Sequence, residues 1–326
     1  MKRVVWSLKA CLVTGAEKFL ASVLALVLWA GSALGESLRV VVISDLNGSY
    51  GSTSYDPRIA QAVDRIIALD PDLVISTGDM VAGQRRPHLS RKEVRAMWAA
   101  FHATVSDRLA GAGIPLAVTP GNHDASAYGG FEHEREIYSD EWLQRKPDLS
   151  FADVRDYPFF YAFNIKGVRF VSLDATTLGP LRGDQAKRLE DLASDSTSVV
   201  TFSHLPLWPF AQDREKEIIG DPALEALYQR SGINLHLSGH HHAYYPGRKN
   251  GVLYVSQACL GGGARKLIGD TQTSPRSFTL LEFSENGDIS VSALQAPDYA
   301  TEVEMSTLPE SIRSGGATLT RMDLSP

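Results

Sequence analysis

The 326-residue sequence predicts an α/β fold, a pair of mixed β-sheets flanked by helices, and three observations carry that reading. Short apolar, β-branched runs alternate with longer amphipathic stretches from Leu38 to about Leu294. Strand, helix and strand alternate early in the chain, whereas the late strands are spaced as hairpins, which disfavours a purely doubly wound sheet. Apolar runs also tend to end in clusters of polar residues, the pattern of strands that feed functional loops.

The first segment is expected to lie outside this fold. Lys2, Arg3, Lys9 and Lys18 form a basic leader, Phe19 to Ala30 is apolar, and Ser32-Ala33-Leu34-Gly35 offers small residues for cleavage after Gly35. Residues 1–35 therefore read as a signal peptide. The apolar stretch Phe19–Leu34 is about 16 residues, short of the roughly 20 that cross a bilayer. That favours cleavage and export, periplasmic or secreted, over the alternative of an N-terminal membrane anchor, and implies no stable membrane association afterwards. Cys11 leaves with the leader, so Cys259 stands alone and is expected to be buried in a strand. Removing four positive charges and one negative takes the net charge from −6 to −9, which argues against nucleic acid as a partner.

The elements then follow in order. Leu38–Ile43 is a continuous strand-forming run. Pro57–Leu69 is a helix, with Pro57 suited to its first turn and Ile59, Val63, Ile66 and Ile67 on one face. Leu73–Ser76 is a strand, Arg91–Leu109 a helix, Ile114–Val118 a strand and Glu132–Gln144 a helix. Phe159–Ile165 and Val168–Leu173 form a hairpin through Lys166-Gly167. Gly183–Ala193 and Pro222–Arg230 are helices, and Ser198–Ser203, Asn234–Ser238, Val252–Gln257, Phe278–Phe283 and Ile289–Leu294 are strands. Beyond Pro297 the chain is rich in Thr, Ser and Glu without a period. Residues 298–326 are thus expected to be a C-terminal tail, disordered or draped over a domain spanning 36–297.

Chemistry concentrates where five of these strands end. Asp45 and Asn47 follow the first, Asp79 the second, Asn122-His123-Asp124 the third, His204 follows Ser198–Ser203, and His240-His241-His242 follow Asn234–Ser238. Oxygen and nitrogen ligands placed after successive strands let one edge of a rigid scaffold gather them around a common point. A lone His or Asp at any one position is a satisfied polar group; five clusters in register with five strand ends point to a metal centre.

The series Asp45-Leu46-Asn47, Gly78-Asp79, Gly121-Asn122-His123-Asp124, His204 and Gly239-His240-His241-His242 resembles the motif set of the calcineurin-like metallophosphoesterases, which read D-x-H, GD, GNH[DE], H and GHxH in that order. The resemblance spans about residues 38 to 285 and implies a four-layer αββα sandwich, two mixed sheets face to face with flanking helices. It also implies two divalent metal ions, with Asp79 bridging, Asp45 and His242 completing one site, and Asn122, His204 and His240 the other. Mixed carboxylate, amide and imidazole ligands suit Mn, Fe or Zn better than Mg. Two ions about 3.5–4 Å apart polarise a phosphoryl group and generate a hydroxide for in-line attack. His123 would be the general acid, oriented by Asp124, a role that contributes roughly 10²–10⁴-fold. The substrate implied is a small phosphate mono- or diester. The alternatives are a polymeric or lipid diester, or a catalytically weak metal-binding or interaction protein.

Two positions depart from the family pattern. Asn47 stands where the first motif usually ends in His: it either ligates, hydrogen-bonds a metal-bound water, or leaves that site partly occupied. Ala82 stands where the purple acid phosphatase branch places a Tyr ligand, which disfavours that branch.

Weaker signals lie nearby. Tyr50 or Tyr55 and the basic run Arg85, Arg86, His88, Arg91, Lys92 and Arg95 are placed to meet substrate, or are an ordinary turn-rich loop and a solvated helix start. Leu205–Phe210 either walls the cleft or packs, and His236 and His241 read as structural. Gly261-Gly262-Gly263 lacks the ending of a phosphate-cradling loop, and no G-x-S-x-G elbow supports a serine hydrolase.

Overall fold

The computed structural model describes residues 37–196 and 198–325, so the expected leader lies outside the described residues. Strand β1 (Leu38–Ile43) buries Val40, Val41, Val42 and Ile43 completely or nearly so. It can do so because it is interior to its sheet, antiparallel to β11 (Ser277–Phe283) and parallel to β2 (Leu73–Ser76). β3 (Leu116–Val118) extends the parallel edge; β12 (Ile289–Gln295) and β13 (Thr301–Glu302) extend the antiparallel one.

The second sheet is also mixed. Its parallel centre is β6 (Val168–Ser172), β7 (Val199–Ser203), β8 (Leu235–Ser238) and β10 (Val252–Ser256). The antiparallel strands β5 (Phe160–Ile165) and β4 (Ser150–Asp156) flank β6; β9 (Tyr245–Lys249), β15 (Ala317–Arg321) and β14 (Ser311–Ser314) flank β10. The sheets pack face to face, with Phe170 of β6 edge-on to Phe283 of β11 at 6.2 Å. At one edge the Tyr161 hydroxyl of β5 bonds the backbone N–H and carbonyl of Val118 in β3.

Helices cover both outer faces. On one side lie α1 (Pro57–Leu69), α2 (Arg91–Phe101), α3 (Asp107–Gly111) and α5 (Glu132–Gln144); on the other, α6 (Gln185–Ala193) packs on α7 (Pro222–Arg230). The two-sheet architecture with flanking helices is the one the sequence predicts. The expected helix Arg91–Leu109 begins at a Ser90–Glu93 capping box and contains one wide π turn over His102–Ser106. No helix among the described residues is long and apolar enough to cross a membrane.

The reading of residues 298–326 as a disordered or draped tail needs correction. This segment adds β13 to one sheet and β14–β15 to the other, burying Ile312 and Leu319 and stacking Tyr299 on Phe278 at 5.5 Å. Cys259 is buried, as expected, but just past β10 rather than within a strand.

Candidate metal centre

Both sheets deliver side chains to one point. Asp45, Asp79 and Asn122 follow the carboxyl ends of β1, β2 and β3; His204, His240 and His242 follow β7 and β8 of the other sheet. Asp45, Asp79 and His204 alone bring ligand atoms within 4.8 Å of one another, a group able to hold a metal ion. Asp45, Asp79, His240 and His242 all adopt left-handed backbone, φ 51°, 54°, 64° and 51°. That conformation costs about 1 kcal/mol or more per residue and collects where function demands it.

The turns fit only because glycines let them touch. A Cβ on Gly121 would lie 2.1 Å from the Asp79 nitrogen, and one on Gly239 would lie 2.2 Å from the Ser44 hydroxyl. α4 (Asn122–Ala125) starts directly after Gly121 and turns the Asn122 amide inward. Asn122 Nδ2 donates to Gln84 Oε1 at 2.7 Å, which fixes the amide oxygen toward His204 Nε2 at 2.9 Å.

Each surrounding imidazole commits one N–H to an acceptor outside the centre. His204 Nδ1 donates to the Thr77 carbonyl at 2.9 Å, His242 Nδ1 to the Gly263 carbonyl at 3.0 Å, and His240 Nε2 to the Glu217 carboxylate at 2.9 Å. Their other nitrogens turn inward. His242 Nε2 lies 2.9 Å from Asp45 Oδ1, His204 Nε2 lies 3.4 Å from Asp79 Oδ2, and His240 Nδ1 lies 3.2 Å from His204 Nε2. Anchoring the outer nitrogen sets tautomer and ring angle, as at histidine-ligated metal sites.

Charge is balanced inside this pocket. Burial works against ionisation of Asp45, but the His242 imidazole, with His204 behind it, holds the carboxyl below its usual range. Burial likewise opposes charge on Asp79, and His204 and His123 outweigh it. Conversely, burial disfavours the charged imidazoles, yet Asp79 pushes His204 up to about 9 and Asp45 pushes His242 up to about 10. A buried anionic pair that draws protons onto its imidazole neighbours is a place where a divalent cation fits. The buried Asp45 Oδ1, whose 2.9 Å contact with His242 Nε2 is not aligned as a hydrogen bond, points to the same fit.

His123 stands beside this cluster. Its backbone N–H donates to Asp79 Oδ1 at 2.9 Å, its Nδ1 donates to the Gly83 carbonyl at 3.0 Å, and its Nε2 lies 3.9 Å from Asp79 Oδ2. The expected orientation of His123 by Asp124 is therefore not what the structure contains. Asp124 accepts from the backbone N–H groups of Val81 and Gly121 at 2.9 and 3.1 Å, tying the second and third motif turns together. Burial, with Asp79 close by, pushes its carboxyl up to about 8. Asn47 is buried, and its backbone bonds the Asp79 carbonyl and the Gly262 N–H.

The weaker sequence signals separate here. His236 sits in the core between Thr201, Ser203 and Tyr228, and burial pushes it down to about 3. His241 accepts from the N–H groups of Phe210 and Ala211 and donates to the Glu217 carbonyl, so it anchors the loop after His204. Leu205, Leu207 and Phe210 are buried as packing rather than as a cleft wall. In the basic run, Arg91 pairs with Glu136 and Arg95 with Asp140 and Glu141, while Arg85 and Arg86 line a cleft of about 650 Å³ with Tyr50. Tyr55 instead donates to the Met80 carbonyl. Glu217 was not foreseen, because Arg214-Glu215-Lys216-Glu217 reads as a solvated charge run.

A two-sheet sandwich that gathers Asp, Asn and His side chains at its strand ends has the architecture of a phosphoesterase. The chain belongs to the calcineurin-like phosphoesterase family, whose model matches residues 38–244. No curated protein matches it in sequence. Among solved structures, a dimetal phosphatase from Danio rerio is similar in fold, with TM-score 0.57 and 15% identity over 87% of this chain and 99% of that one. Purple acid phosphatase PPD1 from yellow lupin (Lupinus luteus) seeds gives TM-score 0.60 and 16% identity over 80% of this chain. The chain spans about half of the lupin enzyme, 52% of its length.

Proposed function

We propose that this chain is an exported phosphoesterase that hydrolyses small phosphate mono- or diesters. Two divalent ions of the Mn, Fe or Zn class would be held by Asp45, Asn47, Asp79, Asn122, His204, His240 and His242. The observation that carries the reading is the ring of imidazoles whose outer nitrogens are anchored and whose inner nitrogens face two buried carboxylates. When bound, the ions would polarise the phosphoryl oxygens and activate water.

The remaining work falls to the protein. His123, anchored through Nδ1 on Gly83, presents Nε2 as the proton source for the departing oxygen. Tyr50, Arg85 and Arg86 line one cleft, where they would meet the substrate, and the Tyr50 ring lies 5.3 Å from the His123 imidazole. Asn47 supplies a neutral and weaker donor than imidazole, so Asn47→His is expected to raise metal occupancy and turnover.

The test is hydrolysis of aryl phosphates by purified protein with added Mn. Asp79→Asn is expected to abolish it, and His123→Ala to lower it by roughly 10²–10⁴-fold. Turnover indifferent to both substitutions would remove this mechanism.

A further inference from the structure

The cleft beside His123 has a chemistry of its own. It is lined by Tyr50, Gln84, Arg85, Arg86, Tyr128 and Phe131, and two of these residues touch the candidate centre's His123 and Asn122. The Tyr50 ring lies 5.3 Å from the His123 ring, and the Gln84 amide oxygen accepts from Asn122. A group leaving past His123 would enter this cleft.

Both guanidiniums there lack an anionic partner. Arg85 makes one hydrogen bond, to the Pro87 carbonyl at 3.3 Å, and Arg86 makes one, to the Gly129 carbonyl at 3.3 Å. Among the described residues no carboxylate comes within 4.0 Å of either, whereas Arg91 and Arg95 a few residues on are each paired with acids of α5. Glu93, the acid that feels Arg85, is committed to the N–H and hydroxyl of Ser90. Arg86 is also fixed in place, its guanidinium 5.1 Å above the Phe131 ring. Each guanidinium has five donors in a fork suited to carboxylate or phosphate, so most of that capacity is left open at the cleft that both residues line. Tyr50 and Tyr128, 55% and 45% exposed, line the same cleft and offer aromatic surface to a planar group.

We propose that Arg85 and Arg86 form a second oxyanion subsite, so that the preferred substrate is a phosphate ester whose leaving group bears a further carboxylate or phosphate. This rests on the phosphoesterase reading, and the test keeps the two apart. Binding of phenylphosphonate, 4-carboxyphenylphosphonate and 4-phosphonophenylphosphonate to the Mn-loaded protein is measured by titration calorimetry. The second anion should tighten binding by roughly 10-fold to 100-fold, the size of one or two charge-assisted hydrogen bonds. The ratio of the two substituted ligands tells carboxylate from phosphate. Arg85→Ser and Arg86→Ser should each remove most of that gain, and Arg86→Lys should restore part of it. Equal affinities for all three ligands, or a gain untouched by both serine variants, would overturn the subsite. Turnover of the matching aryl phosphates is assayed alongside. Absence of turnover with the binding gain intact would count against the phosphoesterase reading and leave the subsite standing.

Discussion

Glu217 shows how much of this centre depends on a single unforeseen side chain. Its carboxylate accepts from His240 Nε2, and that hydrogen bond brings its own ionisation down to about 2. Glu217→Ala is expected to free the His240 ring and weaken metal binding by roughly 10-fold to 100-fold, read by metal titration; unchanged affinity would show that His240 needs no such anchor. A second residue prediction concerns His102, far from the metals. Its ring is buried against Trp98 and Trp142, 2.6 Å from Ser106 and 3.3 Å from Glu141. Burial foremost, then Arg145, pushes it down to about 4 against an opposing pull from Asp107. The unfolded chain takes up this proton near pH 6.5 and the folded one only near 4. Stability should therefore fall as pH drops through that window, by roughly 3 kcal/mol at most. His102→Gln should flatten the fall in urea midpoint between pH 7 and 4.5, and an identical fall in both proteins would refute the point. At this scale the residues that converge on the candidate centre were legible because each follows a strand within a short spaced motif. The partners that aim them, Thr77, Gly83, Glu217 and Gly263, were not, because three act through backbone carbonyls that carry no sequence signature.

Strands β1, β2 and β7 were readable from sequence because interior strands are apolar on both faces and so appear as apolar runs rich in β-branched residues. The strands that escaped are peripheral or polar. β4 exposes most of its residues, β9 contains Pro246 and Gly247, and β14 and β15 alternate Ser, Thr and Arg with single buried residues. The turns between strand and ligand carry their own prediction. Gly121→Ala would force its Cβ into the Asp79 turn, with 2.2 Å to Oδ1. It should destabilise the protein by about 1–3 kcal/mol and deplete bound metal, as seen by thermal unfolding and metal analysis. Gly167→Ala, with open space around its Cβ position, tests the steric part of that claim: its left-handed φ of 81° leaves only backbone strain, so metal content should hold.

The whole molecule closes both sheets with its C-terminal residues. β13 covers the edge of β12, while β15 covers β9 and is itself covered by β14. Ending the chain before Thr301 should expose both edges and lower the melting temperature with visible aggregation; an unchanged melting curve would show these strands to be dispensable. Their Thr- and Ser-rich composition hid this role, since a polar edge strand and a solvated tail look alike until a partner strand is found. The position of the metal centre has a different consequence. Its candidate ligands divide between the two sheets, and the Asp45 carboxylate meets the His240 backbone from 195 residues away. An ion held there would work as a clasp, closing a very long loop that the denatured chain would otherwise leave open. Chelation should thus loosen the seam between the sheets before it disturbs either sheet, with amide exchange quickening first at the motif turns and last along β1 and β8.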